Sequence, residues 1–199
     1  MAIVLVMART REFDTDTVVR SAMELFWRRG YEATSIQDLV DATGLGRGSL
    51  YAAFGSKDGL YEAGLRRYVE MSSARMTARL ERDVPIREVI GDLLLSLVDE
   101  AARDADRRGC LVTNTAVERL PHDSVSGRIV ADALGGVRES IAAALTRARE
   151  RGELPPDADV PGLADFFITA IQGLRVMAKA GPDRRRLTGV VETALGVLP

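Results

Sequence analysis

The residues of this chain whose types and spacing could do chemistry lie between positions 34 and 57. Thr34 and Ser35 place hydroxyl groups at the start of a predicted helix. The free backbone amides at a helix start favour binding of a phosphate group. An arginine such as Arg47 can form paired hydrogen bonds with a guanine edge, while Tyr51 and Lys57 suit phosphates. The residues predicted to contact DNA are Thr34, Ser35, Arg47, Gly48, Ser49, Tyr51 and Lys57.

The elements that must position these residues are short helices joined by a glycine turn. Thr34 and Gln37 have the spacing of a capping box and predict a helix start, and Gly44 predicts a tight turn after that helix. A second short helix is expected over about 47–54, and Ser56 is expected to cap a longer one. Two short helices around a tight turn are typical of a helix-turn-helix, whose second helix enters the major groove of DNA.

Whole-chain charge does not by itself indicate a nucleic-acid partner. The net charge is −2 and the pI is about 5.6. Any basic surface must therefore arise because basic residues cluster on one part of the folded protein. Gly46 and Gly48 lack side-chain bulk at the point where a helix must approach the DNA backbone closely. The local pattern therefore decides the prediction, rather than the composition.

Residues for catalysis or metal binding are too few. The chain has one histidine, His122, and one cysteine, Cys110. One of each does not make a nucleophile with its base and orienting group, nor a metal site. We expect no enzyme, no metal and no cofactor. The single cysteine excludes an intrachain disulfide, which fits the reducing cytoplasm.

Almost the whole chain has the periodicity of amphipathic helices, with prolines and glycines between the periodic segments. We predict an all-α fold with an N-terminal three-helix helix-turn-helix domain and a C-terminal helical regulatory and dimerisation domain. The predicted divisions are an arm at 1–12, the DNA-binding domain at 13–57 and the ligand-binding and dimerisation domain at 58–199. Met7 is an alternative translation start. No apolar run is long enough to span a bilayer, so we expect a soluble cytoplasmic protein with no membrane partner.

The residues over about 13–68 resemble the TetR (tetracycline-repressor-like) family of bacterial transcription regulators. The matching residues are Ala22, Leu25, Phe26, Gly30, Tyr31, Thr34, Ser35, Ile36, Leu39, Ala42, Gly44, Gly48, Ser49, Leu50, Tyr51, Phe54, Lys57 and Leu60. The chain departs from the family at Gly46, where members often have Ser or Thr. It departs again at Ala52 and Ala53, where members often have aromatic residues or His. Base reading is therefore expected to depend more on Arg47 and Ser49.

The resemblance implies a C-terminal domain with an effector pocket and a homodimer formed through the last two long helices. The expected pocket residues are Leu94, Val98, Cys110, Asn114, Val117, Phe167 and Ile171. The expected dimer-interface residues are Phe167, Leu174, Leu187, Val191 and Leu195. A dimer is also expected on physical grounds, because one short recognition helix binds weakly and a two-fold operator needs a two-fold protein.

We predict a ligand-responsive transcription regulator, a repressor that a small molecule releases from double-stranded operator DNA. The alternative is a thiol-based redox or electrophile sensor of the same fold, in which Arg107 and Arg108 favour a Cys110 thiolate. Burial beside Leu111 and Val112 opposes the thiolate, and we expect burial to dominate. Two other classes are less consistent with the sequence: an enzyme or carrier lacks a catalytic set, and a helical adaptor would not bind DNA.

Overall fold

The structure is a computed structural model that describes residues 14–181 and 183–199. The described residues form helices and no strand, which confirms the all-α prediction. The helices are α1 Thr15–Arg29, α2 Ile36–Thr43, α3 Arg47–Phe54, α4 Lys57–Leu80, α5 Ile86–Arg103, α6 Leu111–Arg119, α7 Ser124–Glu150, α8 Val160–Ala180 and α9 Arg184–Leu195. In the part of the chain that the structure describes, no helix is long and apolar enough to cross a membrane. The predicted arm at 1–12 and the choice between two translation starts lie outside the described residues.

Capping residues mark the ends of the first helices where the sequence predicts them. The Asp14 carboxylate accepts a hydrogen bond from the Asp16 amide and caps α1. Gly44 ends α2 with a φ of 69°, which glycine adopts without the steric cost that other residues incur. Ser56 accepts a hydrogen bond from the amide of Gly59 at 3.0 Å and caps α4. These local hydrogen bonds set the lengths of the two short helices α2 and α3.

The capping box of α2 lies one residue further along than predicted. The side chain of Ser35, rather than Thr34, accepts a hydrogen bond from the amide of Asp38 at 3.1 Å. The Asp38 carboxylate accepts a hydrogen bond from the Ser35 amide at 2.9 Å, which completes the box. The side chain of Thr34 is buried and directed towards Gly30 instead, where its hydroxyl donates to the carbonyl oxygen at 2.6 Å. Gln37 instead donates to Asp41 on the surface of α2.

Two hydrophobic cores share helix α4. The N-terminal core is built by α1, α2 and α3 together with the first half of α4, helix α6 and the start of α7. The C-terminal core is built by the end of α4 with α5, α8, α9 and the later part of α7. The residues that α4 contributes to the N-terminal core are Leu60, Tyr61, Leu65 and Tyr68. The N-terminal core therefore continues past residue 57, and α4 links the two halves of the molecule.

Candidate nucleic-acid interface

Helix α3 attaches to the N-terminal core by one edge and exposes the rest of its surface. Leu50 is buried in that core and Phe54 is half-buried beside it. The exposed residues of α3 are Arg47, Gly48, Ser49, Tyr51, Ala52 and Ala53. Four of the seven residues predicted to contact DNA therefore lie together on a free helix surface. The two alanines that depart from the family pattern share this surface.

No contact within the chain requires glycine at position 46, the N-cap of α3, or at position 48 inside the helix. A Cβ atom added at Gly46 or Gly48 would have no other atom of the chain within 4 Å. The backbone of Gly46 has a φ of −64°, which other residues adopt freely. Glycine in a helix is less favourable than alanine, so its presence in α3 calls for a reason outside the folded chain. Close approach of another molecule to α3 is such a reason.

The start of α2 offers Ser35 to a partner but not Thr34. Thr34 is fully buried and its hydroxyl is bonded within the chain, so the prediction of a Thr34 side-chain contact with DNA is wrong. Ser35 is exposed. Hydrogen bonds from the side chain and the amide of Ser35, followed by one from Arg29, lower the pKa of Asp38 to about 2. Arg29 lies 2.7 Å from this carboxylate and offsets its charge beside Ser35.

Lys57 lies at the start of α4 against an aromatic ring. Its Nζ atom is 4.0 Å from the centre of the Tyr31 ring, and the central guanidinium carbon of Arg119 is 3.6 Å from the same centre. The Tyr31 hydroxyl donates to Asp58 at 2.8 Å. Cation–π attraction of this kind restrains the lysine head group. Lys57 is therefore half-buried and held by Tyr31 at the edge of the α3 surface.

Helix α6 holds the corner between α1 and α2 through Glu118. The Glu118 carboxylate accepts hydrogen bonds from the amides of Tyr31 and Glu32, each at 3.0 Å. Its oxygens would lie 3.0 and 3.2 Å from a Cβ atom at Gly30, whose φ is 87°, so glycine suits this position on both counts. The sequence shows no pattern for this contact, because the bonded residues are 86 and 87 positions apart.

Arg119 ties the same corner to α4 and to the start of α7. Its guanidinium donates to Asp58 at 2.6 Å and to Asp123 at 2.7 Å. Burial opposes the charged form, but hydrogen bonds with Tyr31, Asp58 and Asp123 raise the pKa of Arg119 above its usual value. We call Tyr31, Asp58, Glu118, Arg119 and Asp123 the α6 joint. The sequence did not single out any of these five residues as functional except through the family resemblance at Tyr31.

Two family descriptions match most of the chain. Residues 18–63 match the bacterial regulatory proteins of the tetR family, and residues 87–194 match the tetracyclin repressor-like C-terminal domain. The chain belongs to the TetR family. Its helix-turn-helix is thus the DNA-binding unit of a transcription regulator, and the family consists of regulators rather than enzymes, as the sequence predicts.

Individual relatives match this TetR-family regulator over nearly its whole length. The HTH-type transcriptional regulator YezE of Bacillus subtilis (strain 168) is 35% identical over 194 residues, covering 96% of this chain and all of that protein. The HTH-type transcriptional repressor ComR of Escherichia coli (strain K12) is 31% identical and covers 96% of this chain and 91% of that protein. A solved structure of a cysteine mutant of the TetR-family regulator CifR, complexed with 26-bp double-strand operator DNA, is 35% identical with a TM-score of 0.86. It covers 96% of this chain and all of that chain.

The C-terminal half of this TetR-family regulator contains a cavity of about 320 Å³. Helices α4, α5 and α8 form most of its walls. The rest of the lining comes from the loop before α6 and from Trp27 of α1. The Trp27 indole N–H donates to the carbonyl oxygen of Gly109 at 2.9 Å, and the central guanidinium carbon of Arg108 is 4.1 Å from the indole ring centre. A smaller cavity of about 30 Å³ adjoins it behind Met76 and Cys110. The larger cavity thus touches the DNA-binding unit directly.

Most of the predicted pocket residues do not line these cavities. Cys110 lines both of them and Ile171 lines the smaller one. Leu94, Val98 and Phe167 are buried in the C-terminal core instead, because their sides of α5 and α8 face other helices. Val117 is 81% exposed. The side-chain NH₂ group of Asn114 donates a hydrogen bond to the carbonyl oxygen of Arg108, and its side-chain oxygen accepts one from Lys179. These five residues therefore do not line either of the two cavities.

The predicted dimer-interface side chains are covered within one chain. Phe167, Leu174, Leu187 and Val191 are at most 4% exposed in the single chain, so these predictions are wrong for the side chains themselves. Leu195 is half-buried and packs beside Gly91 of α5. Helices α8 and α9 nevertheless expose other apolar residues. The large ones are Phe166, Val176 and Met177 of α8 and Val190 of α9, with Val197 just after the end of α9.

Cys110 is buried in the cavity wall beside a charge that the sequence did not indicate. Burial opposes ionisation, but the Arg175 guanidinium and hydrogen bonds from Thr113 lower the pKa of the Cys110 thiol. The expectation that burial dominates is therefore wrong for the direction of this pKa. Arg108, which the sequence suggested as the cause, is bonded to Asp104 and Glu24. The signal that could have found Arg175 is a lone arginine in the apolar stripe of α8.

Proposed function

We propose that this regulator represses transcription by binding a two-fold operator as a homodimer, and that a small molecule in the cavity of about 320 Å³ releases it. The observation that carries the proposal is the position of Trp27. This residue belongs to α1 of the DNA-binding unit, lines the cavity and is hydrogen-bonded to the loop before α6. A ligand that displaces this loop or the indole shifts α1, and with it α2 and α3.

Repression and operator binding are supported by the relatives. ComR and BdcR of Escherichia coli (strain K12), at 31% and 28% identity, are both described as transcriptional repressors. CifR is complexed with operator DNA. In this chain, Arg47 and Ser49 are proposed to contact bases, while Ser35, Tyr51 and Lys57 hold phosphates. Gly48 is proposed to allow the close approach of α3 to the DNA backbone.

A homodimer is proposed to form through the exposed apolar face of α8 and α9. Phe166 is 41% exposed, Met177 is 42% exposed, and Val176 is 50% exposed in the single chain. Exposed large apolar residues that gather into one patch mark an interaction site in a soluble protein, and we propose that these residues do so. The domain divisions at 1–12, 13–57 and 58–199 belong to the same proposal, with α4 as the link between DNA reading and ligand binding.

The experiment that tests the proposal selects operators from random double-stranded DNA with the purified full chain. We expect a two-fold symmetric site and binding that weakens steeply as salt rises, because phosphate contacts release counterions. Sedimentation of the free protein is expected to give a dimer. Selection of no sequence, or of an asymmetric half-site bound by a monomer, would contradict the proposal.

A second candidate is a thiol-based sensor of the same fold, which the position of Cys110 beside Arg175 in the cavity wall favours. In that case alkylation of Cys110 in the cavity wall, rather than reversible ligand binding, displaces α1. Alkylation with iodoacetamide is expected to release the operator from the parent protein and not from Cys110→Ser. If the alkylated parent keeps its operator affinity, the thiol is not the switch and the reversible ligand remains the proposal.

A further inference from the structure

Arg175 of α8 is a largely buried cation without an acidic partner. Its Nε atom is buried and has no hydrogen-bond partner. No carboxylate of residues 14–181 and 183–199 forms an ion pair with it, and the nearby Cys110 thiol compensates its charge only when ionised. Removing a charge from water is costly unless an opposite charge compensates it. The position of Arg175 therefore favours a bound anion.

The acidic residues in the same cavity wall are already engaged. Asp104 accepts hydrogen bonds from the side chain of Arg108 at 3.0 Å and from the amide of Gly109 at 3.2 Å. Glu100 lies 3.8 Å from the guanidinium of Arg79. Five arginines line the cavity against these two acids. The cavity consequently has an excess of positive charge, and its own carboxylates do not neutralise Arg175.

Apolar side chains line other parts of the cavity, beside Ser72 and Ser96. Trp27, Met76, Leu93, Leu97 and Ala178 line the cavity between the charged groups. A volume of about 320 Å³ lies at the small end of the range for pockets that hold organic molecules. Inorganic phosphate or sulfate would leave these apolar walls without contacts. The cavity therefore suits a compact molecule with one charged end and an apolar body.

We propose that this cavity binds an organic carboxylate, with its charged group against Arg175 and its apolar body between Trp27 and Leu97. The inference rests on the proposed role of the cavity as the effector site and adds the chemical class of the effector. The planar fork of an arginine matches both oxygens of a carboxylate, which gives orientation as well as affinity. Because the apolar body lies against Trp27, ligand binding reaches α1 of the DNA-binding unit.

The test is a ligand screen on the full chain by calorimetry and thermal denaturation. The probes are aliphatic and aromatic carboxylic acids of about six to twelve carbon atoms, each compared with its neutral primary amide. We expect carboxylates to bind at least about tenfold more tightly than their amides, because a charged hydrogen-bonded pair is lost in the amide. Arg175→Met is expected to abolish this preference.

Two further variants make the result decisive. Arg128→Met, which changes an exposed arginine of α7 outside the cavity lining, should keep the preference for carboxylates. Arg175→Lys should retain part of the carboxylate affinity, because lysine keeps the positive charge but lacks the planar guanidinium group. This variant replaces Arg175→Met in the test if Arg175→Met does not fold. Three results would each overturn the proposal. Amides and acids bind equally, no acid in the panel binds, or Arg175→Met binds acids with unchanged affinity.

Operator affinity is measured separately in the presence of each ligand. A carboxylate that binds through Arg175 and leaves the operator bound upholds the ligand class and contradicts the proposed regulatory role of the cavity. Release caused by neutral compounds alone upholds that regulatory role and overturns the ligand class.

Discussion

Gly48 is exposed within α3, and no atom of the chain requires a glycine there. Gly48→Ala is expected to stabilise the fold by about 0.5 kcal/mol, because alanine loses less backbone entropy in a helix. The same variant is expected to weaken operator binding, because a methyl group occupies space proposed for the DNA backbone. Urea unfolding and fluorescence anisotropy with the selected operator measure the two effects.

Gly135→Ala in α7 is the matched control for Gly48. A Cβ atom at Gly135 would likewise meet nothing within 4 Å, and α7 does not belong to the helix-turn-helix. This control should gain stability without any change in operator affinity. Operator binding by Gly48→Ala at the parent affinity would mean that α3 does not approach DNA closely at this position.

Arg47 is exposed at the first position of α3, and we propose that it reads a base. Arg47→Ala is expected to cost roughly 1–3 kcal/mol of discrimination against the wrong base.

Lys57→Ala is expected to weaken binding to all sequences similarly and to reduce the slope of log affinity against log salt by about 1. Titration of operator and of scrambled DNA at several salt concentrations measures both. A changed preferred sequence in Lys57→Ala would show that the two roles are misassigned.

At the scale of elements, the α6 joint depends on the ionised form of Asp123. Burial opposes that form, but hydrogen bonds from Ser126, followed by those from Arg119, lower the pKa of Asp123 to about 2 from a usual 3.8. Because the pKa is lower in the folded state, the stabilisation is present above about pH 4 and is lost as the pH falls towards 2. Asp123→Asn keeps a capping oxygen for α7 and removes the charge.

We therefore expect Asp123→Asn to lower the free energy of unfolding by roughly 1–2 kcal/mol at neutral pH. The difference from the parent should shrink between pH 4 and pH 2, where the parent carboxylate becomes protonated. Urea unfolding across this range measures it. Asp157→Asn, in the exposed loop before α8, should have no such effect. A difference that does not vary with pH would assign the effect to packing rather than to charge.

Much of the secondary structure could be predicted because helix ends depend on nearby residues. Gly44 and Ser56 act within a few positions of themselves, and their pattern predicts the helix-turn-helix. Thr34 and Ser35 are adjacent hydroxyl residues, and the turn that brings Thr34 to the carbonyl oxygen of Gly30 decides which of them caps α2. Local sequence does not contain enough information for that choice.

The candidate site was harder to predict than the helices. Periodicity predicts that Phe167 and Leu174 lie on one face of α8, but not that their own chain covers that face. The cavity depends on how α4, α5 and α8 pack together, so its lining could not be derived from each helix alone. Glu118 and Arg175 act through residues more than 60 positions away. No local pattern marks Glu118, and the lone arginine in the apolar stripe of α8 does not show which residues it meets.

At the scale of the whole molecule, the exposed apolar face of α8 and α9 is proposed to join two chains. Met177→Lys is expected to give a folded monomer, because this side chain is 42% exposed before any association. Burying an unpaired ammonium group in an interface is costly. Sedimentation velocity measures the mass, and circular dichroism checks the helix content.

Val117→Lys is the control for association. Val117 is 81% exposed on α6 and belongs to neither α8 nor α9, so this variant should sediment as the parent does. A Met177→Lys protein that remains dimeric would exclude this face as the interface. Phe167→Lys should instead reduce the helix content, because Phe167 is fully buried in the C-terminal core.

Trp27 gives the molecule an optical property of its own. It is the only tryptophan among the 199 residues, and it lies between the DNA-binding unit and the cavity. The Tyr68 ring meets it edge-on at 4.9 Å, and Arg108 lies over it. Indole emission responds to the polarity and the quenching groups around the ring. The tryptophan fluorescence of the unlabelled protein therefore comes from one known position, and its wavelength and intensity report on the junction between α1 and the cavity.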